Sequence, residues 1–193
     1  MIIKDWKKDV FTIPNILSLV RLLLIPIYVI IYLNATKEAD YYLAAGILAV
    51  SCLTDMIDGK IARHFNMKST IGMLLDPVAD KATQFTLIVC LAVSYPILWN
   101  LVVLFVVKEG FQLLVGAITY FKDGKMLHGA LLPGKICTTI LFLSLIILVM
   151  IPSPSKNLVT VFTAVDAAFL VFAFVAYILA YFGKNKKVYD IEQ

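Results

Sequence analysis

The chain is 193 residues long, 61% hydrophobic and 16% charged, with a formal net charge of +4 and a mean hydropathy of +0.91. Soluble domains are nearer about 45–50% apolar and about 25% charged, so the composition excludes a soluble globular protein and predicts a polytopic membrane protein. The excess of 17 basic over 13 acidic residues is read as the positive-inside bias of such a protein, not as a surface for nucleic acid.

Residues 1–11 mix Trp6 and Phe11 with Lys4, Lys7 and Lys8, a juxtamembrane segment suited to an anionic membrane face. They hold no apolar stretch followed by a small-residue cleavage site, so no cleaved signal peptide is expected. Six spans follow at about 15–34, 41–59, 69–94, 96–121, 133–151 and 157–182, each an apolar run near the length a bilayer requires. The first opens on Pro14-Asn15 and carries Arg21 and Pro26. The second ends on Asp55 and Asp58, and a basic loop at about 60–68 follows. The third begins with Asp76, Asp80 and Lys81, and the fourth carries Lys108 and Glu109 near its middle. A polar connection at about 122–132 leads to the fifth, and Pro152-Ser153-Pro154-Ser155 makes a tight turn into the sixth, which holds Asp166. The expected fold is an all-α integral membrane bundle of six transmembrane helices in one domain, residues 1–193, without internal repeats.

Orientation follows from Lys and Arg in the connections. Lys4, Lys7, Lys8, Lys60, Arg63, Lys68, Lys122, Lys125, Lys135, Lys184, Lys186 and Lys187 fall on one side, and only Lys37 and Lys156 on the other. Both termini are therefore placed in the cytoplasm. Asp55, Asp58, Asp76 and Asp80 all fall at the cytoplasmic ends of adjacent helices.

Asp55 and Asp58 are three residues apart, and Asp76 and Asp80 four. On a helix either spacing puts both carboxylates on one face. An ionised residue deep in a bilayer costs about 2.5–3.5 kcal/mol on insertion scales, and four neighbouring carboxylates repel one another. Hard divalent cations with oxygen ligands are the natural compensation, and two facing pairs can hold two ions as two-metal phosphoryl-transfer sites do. Mg²⁺ suits carboxylates combined with substrate phosphates, with Mn²⁺ able to take its place. The competing reading, acids that cap helix ends and pair with Lys60, Arg63, Lys68 and Lys81, accounts less well for four acids with glycines between them.

The run Asp55-x2-Asp58-Gly59-x2-Ala62-Arg63-x8-Gly72-x3-Asp76-x3-Asp80 resembles the complete signature of the CDP-alcohol phosphatidyltransferases. Ile13 to Arg21, Leu75 to Lys81 and Gly134-Lys135-x2-Thr138 are similar to the bacterial phosphatidylglycerophosphate synthase branch of that family. The resemblance implies a six-helix fold, a homodimer in the cell membrane, and a polar cavity open to the cytoplasm. It implies two Mg²⁺ ions on Asp55, Asp58, Asp76 and Asp80, with Asp80 also the general base. Gly59, Ala62, Arg63 and Gly72 would contact CDP-diacylglycerol, and Arg21, Lys81, Lys108 and Lys135 would bind the acceptor. The acceptor hydroxyl would attack the lipid-side phosphorus and CMP would leave. The expected acceptor is glycerol 3-phosphate, with phosphatidylglycerol, as in cardiolipin synthases, the alternative. Three positions depart from the branch: Lys108-Glu109 stands where Arg-Glu is usual, Gly116 where an Arg is frequent, and Cys137 where a Lys is usual.

Cys52, Cys90 and Cys137 lack metal or redox spacing and are read as packing residues. His64 and His128 lie in expected connections and are given no catalytic role. Glu109 follows Lys108 directly, so the two are not expected to share a helix face. Asp166 lies away from the acidic cluster and is assigned to helix packing or an interface. Tyr95, Trp99 and Tyr181 fit interfacial belts. An ion-coupled transporter would favour acids near the midplane in repeated halves, and this sequence has neither.

Overall fold

A computed structural model describes residues 12–64, 72–123 and 131–182. The regular structure within them is helical: α1 (Ile13–Leu33), α2 (Glu38–His64), α3 (Gly72–Ser94), a 3₁₀ turn (Pro96–Leu98), α4 (Trp99–Asp123), α5 (Leu132–Met150) and α6 (Lys156–Phe182). Among the described residues four helices are long and apolar enough to cross a membrane: α1, α4 (counted with its 3₁₀ lead-in), α5 and α6. At 27 and 23 residues, α2 and α3 reach about 40 Å and 35 Å, and the acids and basic residues they carry dilute their apolar character. The expected loop at about 60–68 is corrected in part, since α2 continues to His64.

Local chemistry sets several helix ends. Thr12 N-caps α1, its Oγ1 accepting the Asn15 N–H at 3.4 Å, and Pro14 sits in the first turn, where no helical N–H partner is needed. Before α2, Asp40 Oδ2 accepts the Thr36 and Lys37 N–H groups at 2.9 Å each. Those bonds, Lys37's first, hold the Asp40 carboxyl below its ordinary value. Between α5 and α6 the chain bends at Ile151–Ser153, and Ser153 sits at φ 129, a region that side-chain-bearing residues rarely adopt.

The chain packs as two compact units, Met1–Leu91 with Ile146–Ser153, and Ala92–Leu145 with Pro154–Gln193. In the first, α1 lies closely against α2. Ala44 and Ala45 of α2 are buried, and small residues let helix backbones approach. Tyr28 and Tyr32 stack with ring centroids 5.6 Å apart, and Tyr32 meets Tyr41 edge-on at 6.0 Å. In the second unit α4 packs on α6, with Phe111 edge-on to Phe174 at 5.1 Å. Leu23, Ile30, Leu113, Leu114, Phe121 and Leu179 are all exposed, as lipid-facing side chains of a membrane bundle are.

Candidate active site

The two acidic pairs fall on helices, as their spacing suits: Asp55 and Asp58 in the C-terminal half of α2, Asp76 and Asp80 in the first turns of α3. The side chains of Asp55, Asp58, Ala62, Arg63 and Asp76, and the surroundings of Gly59 and Gly72, lie outside the described residues. Asp80 is described, and it has a specific partner. Arg21 on α1 donates from Nη1 to Asp80 Oδ1. The pair is asymmetric: the Arg21 side chain is 2% exposed and the Asp80 side chain 39%. A cation carried into the helix packing thus holds a carboxylate that is itself only part-buried.

Arg21 belongs to a polar stripe on an otherwise apolar helix. Asn15, Ser18 and Arg21 recur every three residues and are all buried, which puts them along one face of α1. Sequence reading singled out Arg21 and missed its two neighbours. The signal was their spacing, because buried polar side chains in a membrane helix gather where a site or a partner awaits them. Lys81 follows Asp80 and is half-buried.

The second unit holds Lys108 and Lys135. Lys108 is 3% exposed, and its Nζ pairs with Glu109 Oε1 at 2.6 Å. The two residues pair although, being adjacent, they do not share a helix face. Helical neighbours leave the axis about 100° apart, but side chains this long curl back around the helix to each other. The Lys108 ammonium also lies 5.6 Å from the Tyr177 ring centroid. Lys135 is exposed in the first turn of α5, where Thr138 and Thr139 hydroxyls donate to its carbonyl at 3.0 and 2.9 Å. Tyr181, expected in an interfacial belt, is buried with Tyr177 and Val115. Its hydroxyl stands 3.5 Å from where a Cβ on Gly116 would be.

Asp166 is 1% exposed. Its Oδ2 accepts the Ser144 hydroxyl at 2.5 Å, a packing contact between α5 and α6. None of Cys52, Cys90 and Cys137 is in a disulfide.

Among the described residues no three potential metal ligands gather. The acids that the sequence places on α2 and α3 are all carboxylates, the oxygen-ligand type that hard divalent cations take.

A family model for CDP-alcohol phosphatidyltransferases matches residues 11–179. The chain belongs to the CDP-alcohol phosphatidyltransferase family. That match takes in both acidic pairs, Arg21, and every described helix but the last residues of α6. A cardiolipin synthase (CMP-forming)/mitochondrial hydrolase fusion protein of Schizosaccharomyces pombe is 37% identical over 118 residues, 60% of this chain and 18% of that protein. A putative cardiolipin synthase of Mycobacterium tuberculosis is 36% identical over 109 residues, 56% of this chain and 50% of that one. A probable phosphatidylglycerophosphate synthase of Mycobacterium tuberculosis is 31% identical over 99 residues, 50% of this chain and 47% of that one. The chain spans half or less of the length of each of these relatives.

Proposed function

We propose that this protein is a multi-pass membrane phosphatidyltransferase that moves the phosphatidyl group of CDP-diacylglycerol onto a glycerol hydroxyl and releases CMP. The observation that carries the reading is the Arg21–Asp80 pair, a buried cation holding the part-exposed last acid of the family signature. In this reading Asp80 takes the proton of the acceptor hydroxyl. The resulting oxygen forms a bond to the lipid-side phosphorus of the diphosphate, and the bond to the CMP oxygen breaks. Arg21 orients the Asp80 carboxylate and balances its charge, so α1 and α3 keep one spacing at the base. Gly59, Ala62, Arg63 and Gly72 contact the CDP moiety, and Asp55, Asp58, Asp76 and Asp80 would hold divalent metal, Mg²⁺ or Mn²⁺. Bound there, metal supplies neutralisation of charge developing on the diphosphate oxygens. Six spans with both termini cytoplasmic put this chemistry at the cytoplasmic face, and the working unit is a homodimer.

The acceptor we favour is phosphatidylglycerol, with cardiolipin as product. Lys108 is the α4 cation expected to recognise a phosphate, and Glu109 already balances its charge at 2.6 Å. A phosphomonoester dianion placed there meets the Glu109 carboxylate, whereas a phosphodiester carries only one charge. The relatives named cardiolipin synthase are also more similar to this chain than those named phosphatidylglycerophosphate synthase. Glycerol 3-phosphate is the second reading, favoured by the exposed Lys135 at the start of α5.

The test presents purified protein with labelled CDP-diacylglycerol, Mg²⁺ and each acceptor in turn. Cardiolipin formed from phosphatidylglycerol supports the favoured acceptor; product from glycerol 3-phosphate alone overturns it. Glu109→Gln, by leaving the Lys108 charge unbalanced, is expected to raise turnover with glycerol 3-phosphate relative to phosphatidylglycerol.

A further inference from the structure

In the second unit one side chain ties together the two helices that carry the proposed acceptor cations. Tyr177 on α6 is 2% exposed, a depth at which a phenol hydroxyl needs partners. Its hydroxyl accepts the backbone N–H of Leu131 at 3.2 Å, just ahead of α5, and interacts with the Gln112 side chain of α4. N–H groups at the start of a helix have no intrahelical acceptor, so the Leu131 bond fixes where α5 begins. Packing enforces the same position: a Cβ on Gly134 would lie 2.5 Å from the Tyr177 hydroxyl, so α5 fits against the tyrosine only with glycine there. The first helical bond beyond, Lys135 N–H to Leu131 carbonyl at 3.0 Å, makes Lys135 the residue whose direction this contact sets. The Tyr177 ring meanwhile faces the Lys108 ammonium at 5.6 Å.

We infer that Tyr177 is a positioning residue for the acceptor subsite: by holding Leu131 and Gly134 it aims Lys135 at the acceptor's phosphate, and its ring seats the Lys108–Glu109 pair. The inference rests on the phosphatidyltransferase reading and deepens it. Tyr177 touches no reacting atom. Its effect is confined to the affinity for the acceptor and does not extend to CDP-diacylglycerol or the bond-breaking step.

The experiment measures KM for each substrate and kcat, by CMP release in mixed micelles, for wild type, Tyr177→Phe, Lys135→Ala and the double variant. Tyr177→Phe deletes one hydroxyl and keeps the ring. It is expected to raise the acceptor KM about three- to tenfold, the range that loss of one hydrogen bond produces. KM for CDP-diacylglycerol and kcat are expected to stay within twofold of wild type. Because the tyrosine acts through Lys135, the double variant should be no worse than Lys135→Ala, a non-additivity that independent sites do not give. Gly134→Ala displaces the same hydroxyl and should reproduce the acceptor-KM signature. An unchanged acceptor KM in Tyr177→Phe, an equal rise in both KM values, or additive losses in the double variant would each overturn the inference. Absence of CMP release by the wild type with any acceptor would instead overturn the phosphatidyltransferase reading beneath it.

Discussion

Gly134→Ala reverses the sign that helix propensity alone assigns. Gly134 lies inside α5, where replacing glycine by alanine ordinarily stabilises by up to about 1 kcal/mol. Here the added Cβ would stand 2.5 Å from the Tyr177 hydroxyl, 3.0 Å from its Cε2 and 3.1 Å from its Cζ. The ring is packed with Val115, Tyr181, Phe111 and Leu131, so it cannot swing aside cheaply. Overpacking of this kind costs about 1–3 kcal/mol, and displacing the hydroxyl from Leu131 forfeits a hydrogen bond worth about 0.5–1.5 kcal/mol. Against the propensity gain, the net is a loss of about 2 kcal/mol. For a chain of this size that is a fall in Tm of about 4–8 °C, measurable by thermal unfolding in detergent. Combining it with Tyr177→Phe removes the tightest of the three contacts and should recover part of the fall. A Gly134→Ala variant as stable as wild type, or more so, would refute the packing argument.

Other outcomes follow from single contacts. Asp166→Asn keeps an acceptor for the Ser144 hydroxyl while removing a buried acid whose Oδ1 has no partner in the described structure, so Tm should hold or rise. Ser144→Ala, which strips that acid of its described donor, should cost about 1–3 kcal/mol in the same melt. Ala44→Leu adds a bulky side chain where Ala44 is fully buried, and should destabilise by about 1–3 kcal/mol. Asp40 has its carboxyl lowered by the N–H groups of Lys37 and Thr36. Its contribution is therefore fully present above the unfolded value near about pH 4 and is lost as pH falls through its lower folded value. Asp40→Asn should remove that acid-range change, read as amide exchange at the start of α2.

The helices were legible because an apolar run near bilayer length has few other outcomes, and the acidic spacings of α2 and α3 are met by helical backbone. Helix ends were less so. Hydropathy marks the part of a helix that lipid tolerates, and α2 runs past it to His64, through Lys60, Ala62 and Arg63, which are good helix formers. The Lys108–Glu109 pair was hidden by a rule about helix faces that long side chains evade. Asn15 and Ser18 were read only as part of the run from Ile13 to Arg21, and their burial on one face with Arg21 came from the structure. Tyr177 gave no local sign, since its partner Leu131 is 46 residues away in sequence and a tyrosine in an apolar run reads as packing.

The central claim is that Asp80, held by Arg21, is the base of a CDP-diacylglycerol-dependent transfer. The most direct measurement is CMP release by purified Asp80→Asn beside wild type, with CDP-diacylglycerol binding followed in parallel. The account predicts release by the wild type with phosphatidylglycerol and Mg²⁺, and its loss in the variant while the nucleotide lipid still binds. Wild-type turnover retained by Asp80→Asn, or no release by the wild type with any alcohol acceptor, would contradict it.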